Sequence, residues 1–335
     1  MVTLGNFINT LGQEWMQRAI LSAILIGIVC SLIGVFVLLR GLVFLGAAIA
    51  HSAFAGAALG LLLEIDPLWT ILLFGTLAAL GIGYVNEKEI MKDEVVVGVS
   101  FSFFMALAIL FIGLMPVYSS SVNSILFGNI LLISQENFIM LCGLSALTLV
   151  TLFLIKKELY FITFDSEMAK ITGIPVRLLN YIFLIIVALT IDVSLKGIGA
   201  ILVFAMVVTP AAAAYQLTFH LNRMMFFAVI FGIFSALGGL IISYFADLPS
   251  GSTTVILSTA LFVLCFFISP KQRASINILE CDYCHQLLDE FIECENEDCP
   301  LRGKTPHHHD ESSVFWVRPK DLPKEDKMSH DHPEF

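Results

Sequence analysis

The sequence predicts an all-α polytopic membrane protein of about nine transmembrane helices, followed by a small polar tail. Three observations predict it. Hydrophobic residues fill 58% of the 335 positions and charged residues only 14%, where soluble domains are about one quarter charged. The mean hydropathy is +0.89. The apolar residues fall into runs of about twenty, the length one helix needs to cross a bilayer, divided by short polar breaks. Charge also divides the chain. Residues 271–335 hold 15 acids and 8 bases, a net of -7 out of a total of -10. A membrane body, 1–269, therefore precedes an acidic, Cys/His-rich domain, 270–335. Neither carries the basic balance that a nucleic-acid partner requires.

In chain order the runs lie at 17–39, 42–63, 67–85, 95–115, 136–155, 177–193, 197–217, 224–246 and 251–268. Between the fourth and fifth, Pro116 and Ser119 to Ser121 read as an outer loop, and Ile125 to Ile133 as a short or re-entrant helix. Lys and Arg concentrate on the cytoplasmic side of membrane proteins. Arg40, Lys88, Lys92, Lys156, Lys157, Lys170, Arg177, Arg223, Lys271 and Arg273 fall in one set of breaks, and Arg18 and Lys196 in the other. Ten bases against two place the N-terminus outside the cell (inner) membrane and the tail in the cytoplasm.

The second run holds one ionisable side chain, His51, near its middle. Gly46, Ala47, Ala50, Ala53, Gly56, Ala57 and Gly60 surround it, and such small residues let helices approach closely in lipid. An imidazole at bilayer depth needs a cavity or a partner. His51 is therefore either a path residue or a packing residue hydrogen-bonded to a neighbouring helix. The cytoplasmic stretch Asp165 to Val176 (DSEMAKITGIPV) reads as a short helix ended by Pro175. Its Ala169 and Gly173 form a small-residue face that could seat in a soluble partner, or it is an ordinary connector. Asn86 to Glu94 reads as a solvated turn. In Lys196 to Tyr215 (KGIGAILVFAMVVTPAAAAY), Thr209-Pro210 interrupt the span. Pro210 frees a carbonyl that protein or a water-filled cavity must satisfy. This is either a movable wall of a path or a static kink.

Taken in order, four stretches resemble the permease subunit of ABC importers for divalent metals, the zinc/manganese/iron uptake family. They are Leu45 to Gly60 with His51, Leu126 to Leu131 (LFGNIL), Asp165 to Val176, and Lys196 to Tyr215, helped by Leu248 to Val255 (LPSGSTTV). The resemblance covers Arg18 to Ser269. It implies a type II-like ABC importer permease that works as a homodimer with a cytoplasmic ABC ATPase. An extracellular metal-binding lipoprotein or periplasmic protein would deliver the ion, most simply Zn2+, with Mn2+ or Fe2+ as alternatives. It also implies that His51, Thr209 and Pro210 line the path, that His51 meets the metal, and that Asp165, Ala169 and Gly173 belong to the ATPase coupling helix. ATP is then used by the partner subunit. Family members commonly carry an acid four residues before this histidine, where this chain has Ala47, and none replaces it between Gly41 and Leu63.

In the tail, Cys281, Cys284, Cys294 and Cys299 have the spacing Cys-x2-Cys-x9-Cys-x4-Cys. Two cysteine pairs on short loops can make a closed tetrahedral zinc site, ribbon- or knuckle-like, structural or regulatory; free thiols are the alternative. Cys281-Asp-Tyr-Cys284-His285 also fits a haem attachment string, which does not suit a cytoplasmic tail. Gly303-Lys304-Thr305 mimics the end of a phosphate loop, but Asp298 stands where its first glycine belongs. Two other transport functions compete. A metal-chelate or siderophore permease would share the architecture. An ion-coupled secondary carrier would need intramembrane acids, and the spans as delimited have essentially none away from their ends.

Overall fold

The computed structural model describes residues 12–88, 92–115, 133–246 and 248–269. Among them there is no strand. In order come α1 Glu14–Leu39, α2 Val43–Leu62, α3 Pro67–Glu87, α4 Asp93–Gly113, α5 Gln135–Phe164, the short α6 Ser166–Ile171, α7 Val176–Ile198, α8 Ala200–Leu217, α9 Leu221–Ala246 and α10 Ser250–Ile268. Eight of these are long and apolar enough to cross a membrane, and α8 adds a shorter apolar helix over Leu202–Leu217. The chain is a multi-pass membrane protein. Its tail, with Cys281, Cys284, Cys294 and Cys299, and the stretch 116–132 lie outside the described residues.

Local chemistry sets the helix ends. After α1, Gly41 adopts φ +70. The N–H of Leu42 then donates to the Val37 carbonyl at 2.9 Å and that of Gly41 to Leu38 at 3.1 Å, which satisfies carbonyls that would otherwise face lipid without donors. Asp66 caps α3 by accepting from the Leu68 N–H at 3.0 Å, and Pro67 supplies a first-turn residue that has no donor to lose. Ser134 caps α5, accepting from the Asn137 N–H at 3.3 Å. α5 runs on past the expected end at 155, through Lys156, Lys157 and Glu158, because charged residues are good helix formers once clear of lipid.

The interior is built around α1, α2 and α7. Some 72% of the apolar stretch of α1 and of α2 is buried, against 17% for α4 and 22% for α5. α1 packs on α9, α8 and α5, while α2 packs on α3, α4, α7 and α8. Small residues make this possible. A Cβ added at Gly27 would lie 2.9 Å from the Gly232 carbonyl carbon, so α1 and α9 touch backbone to backbone. Between α5 and α7 a hydroxyl seam replaces apolar contact: Thr148 and Thr190 Oγ1 are 3.4 Å apart, and Thr190 also donates to its own Ile186 carbonyl at 2.8 Å.

The basic breaks of the sequence gather at one end of the bundle. Arg40 after α1 donates to Asn180 of α7, Arg177 pairs with Glu87 of α3 at 2.6 Å, and Lys156 of α5 donates to Asn222 of α9 at 2.8 Å. Asn86 and Glu87 are therefore helical residues of α3, and Glu87 has tertiary partners in Arg177 and Tyr181. Asp93 and Glu94 open α4, so among the described residues only Lys88 and Lys92 fit the solvated turn read from sequence, and 89–91 lie outside the described residues.

Candidate functional site

His51 lies within α2, on the side that meets α4. Its Nδ1 is 2.8 Å from the carbonyl oxygen of Ala47. A carbonyl can only accept, so Nδ1 carries the proton and Nε2 keeps its lone pair, the form that binds a divalent cation. The backbone carbonyl one turn back thus fixes the imidazole, a contact that any residue at position 47 would supply and that does not replace a carboxylate. The ring packs at 4.3 Å between centroids on Phe101 of α4, itself an exposed residue, and His51 is half-buried. The helix around it is held by close approach: a Cβ at Gly56 would collide with the Thr70 carbonyl of α3. Among the described residues, no three His, Cys, Asp or Glu are grouped to hold a metal ion. A single imidazole with one open nitrogen suits a brief stop for a passing ion better than a storage site.

Thr209 and Pro210 lie in α8, which continues through both without a break. Pro210 is buried and Thr209 half-buried. Without a proline N–H, the Met206 carbonyl loses its usual helical donor. Tight packing supports the helix instead: Ala211, Ala213 and Ala214 are fully buried, and Gly34 of α1 lies so close to the Val207 carbonyl that no side chain would fit.

At the basic end, Asp165 caps α6, its Oδ1 accepting from the N–H groups of Glu167 at 3.1 Å and Met168 at 2.8 Å. Gly173 ends the turn at φ +83, with its N–H on Lys170 and that of Ile174 on Ala169, both at 3.1 Å. Ala169 packs inward. It has no exposed surface and sits among Ile162, Val176 and Leu179 of α5 and α7. The outward side of α6 carries Met168, 49% exposed, and Ile171, 78% exposed. Of the small residues, only Gly173 is open, with nothing within 4 Å of an added Cβ.

One residue escaped the sequence reading. Asp192, placed there at the end of the 177–193 run, lies inside α7, which extends to Ile198. It is fully buried, and neither carboxylate oxygen has a hydrogen-bond partner. Gly75 of α3 makes room for it, since a Cβ there would fall on both oxygens. The spans thus do contain an acid away from their ends. The sequence showed only an Asp near the polar end of an apolar run; that α7 continues past it and that Gly75 faces it are features of the packing.

The model of the ABC 3 transport family matches residues 12–269. The chain belongs to that family. It is 35% identical over 266 residues to the manganese transport system membrane protein MntC of Halalkalibacterium halodurans, covering 79% of this chain and 91% of the relative. It is 34% identical over 274 residues to the manganese import system permease protein ScaB of Streptococcus parasanguinis, with 82% and 98% covered. The solved PsaBC of Streptococcus pneumoniae, in complex with Fab, superposes with a TM-score of 0.73 at 34% identity, over 81% of this chain and 98% of that one. A metal-chelate type ABC transporter solved in an inward-facing conformation shares the fold at a TM-score of 0.65 and 15% identity. As an ABC 3 family member, the chain is a membrane component of an ABC transport system.

Proposed function

We propose that this chain is the membrane-spanning permease of an ATP-driven importer for a divalent metal ion, with manganese the favoured substrate. It works as a homodimer, with a cytoplasmic ATPase bound at the basic end and an extracellular metal-binding protein at the other. The observation that carries the reading is His51: a mid-helix imidazole in a family permease, its Nδ1 tied to a backbone carbonyl and its Nε2 open. Nitrogen and oxygen donors suit manganese and iron(II) as well as zinc, whereas thiolates favour zinc, and the cysteines of the described spans lie elsewhere. The relatives at 33–36% identity are named for manganese, which favours manganese over zinc as the cargo.

The reading places the N-terminus outside and the acidic tail in the cytoplasm. Met168 and Ile171 then offer the ATPase an apolar contact on α6, flanked by Asp165 and Gly173. On this reading ATP is bound and consumed by the partner ATPase subunit. In the tail, Cys281, Cys284, Cys294 and Cys299 would hold a zinc ion, structural or regulatory, that is separate from the cargo. Zinc titration of the full-length complex, with and without Cys281→Ser, tests that site.

The deciding experiment is uptake of radiolabelled manganese, zinc and iron(II) by proteoliposomes holding the complete complex. Manganese should be taken up fastest and only with ATP. Zinc-only uptake would overturn the cargo assignment, and uptake without ATP would overturn the ABC reading.

A further inference from the structure

A cavity of about 320 Å³ opens at the basic end, where α3 and α7 meet beneath α6. Its polar lining includes Arg40, Asn86, Glu87, Lys170, Arg177 and Asn180. We infer that this cavity is a binding site for a phosphate-bearing anion, with Arg40 at its floor and Lys170 and Arg177 at its mouth.

The first support is charge. Three cations face one acid, and Glu87 is already engaged by Arg177 Nε at 2.6 Å and by the Tyr181 hydroxyl at 2.7 Å. The formal balance of the lining is therefore +2. The second support is Arg40. Its guanidinium lies 5.0 Å over the Phe183 ring and donates through Nη2 to Asn180, so its orientation is fixed. The other arm, Nη1, is buried with no acceptor, and Asn86 Oδ1 in the same cavity is buried with no donor. Burial also pushes the Arg40 guanidinium down from its usual range, a penalty that an anion beside it would remove.

A third contribution comes from α7. Its first turn has no side-chain cap, and Val176 and Arg177 of that turn line the cavity, so the positive end of a long helix dipole faces in. Water could fill the space, about ten molecules at roughly 30 Å³ each, and could satisfy Arg40 and Asn86 as hydrogen-bonding groups. Water would leave the charge unbalanced. A phosphate with a neighbouring hydroxyl answers all three features, its oxygens on the cations and its hydroxyl on Asn86. The cavity lies where α3 ends and α7 begins, beyond the apolar runs, so the phosphate comes either from an anionic phospholipid or from solution.

The test uses the permease–ATPase complex in detergent, stripped of lipid, with thermal unfolding read against added phosphatidylglycerol, phosphatidylcholine or inorganic phosphate. Phosphatidylglycerol should raise the midpoint and phosphatidylcholine should not. Arg40→Gln should weaken the apparent affinity about tenfold, the loss of one charge-assisted contact, and Lys170→Gln at the solvated mouth by about threefold. If Arg40→Gln does not fold, Lys170→Gln and Arg177→Gln carry the test. An equal shift with inorganic phosphate assigns the dissolved anion as the source. No shift with either anion, or a shift that survives these substitutions unchanged, overturns the site.

Discussion

His51 and Asp192 are both ionisable groups set among apolar helices, and the fold treats them in opposite ways. His51 sits where α2 meets α4, half-buried, with one ring nitrogen bonded at 2.8 Å to Ala47 and the other open. Asp192 is shut between α7 and α3, with no exposed surface and no partner for either oxygen. An imidazole can be neutral and still bind a cation, so a place beside a path costs little. A lone carboxylate charge away from water costs several kcal/mol, and only a cation, a proton or an opening of the α3–α7 contact relieves it. Burial and hydrogen bonding, more than residue type, separate a group that can meet cargo from one that is packed away.

The contrast can be broken at its tightest point first. Gly75→Ala drives a methyl group into the Asp192 carboxylate and should cost about 2–4 kcal/mol, seen as a lower unfolding midpoint of the purified permease. Asp192→Ala in the same chain should restore most of it. A double variant as unstable as the single one would mean that Gly75 serves another contact.

Next in size is His51→Ala. Initial manganese uptake should fall at least about tenfold, as when a group that orients or binds a metal is removed, with unchanged assembly on the ATPase. Full uptake would return His51 to a packing role.

The smallest effect sharpens the comparison most. Asp192→Asn keeps the shape and removes the charge, so stability should change by less than about 1 kcal/mol, or rise, and uptake should hold. A stable Asp192→Asn variant that transports as poorly as His51→Ala would put both residues on the path and end the distinction.

Periodicity and length were enough to find nearly every helix, because a run of about twenty apolar residues has few alternatives in lipid. His51 stood out for the same reason. Asp192 did not, since DVSLKG looks like the polar end of a span, and only packing shows that α7 runs on through it. Ala169 taught a related lesson. A small residue marks close approach, but sequence does not say to what, and here the neighbour is the permease's own α5 and α7. Pro210 was legible as a site of lost hydrogen bonding. That the helix persists through it depends on the alanines and on Gly34, which lie on separate helices.

The inward turn of Ala169 has a mechanical consequence. Because that side chain is wedged among Ile162, Val176 and Leu179, and because Gly173 and Ile174 lock the turn, α6 and the start of α7 form a single rigid crank. A partner pressing on Ile171 cannot tilt α6 alone. α7 continues from that crank for about 24 Å to Asp192, which rests on Gly75. The close contact between those two residues lies towards the far end of that same rigid helix.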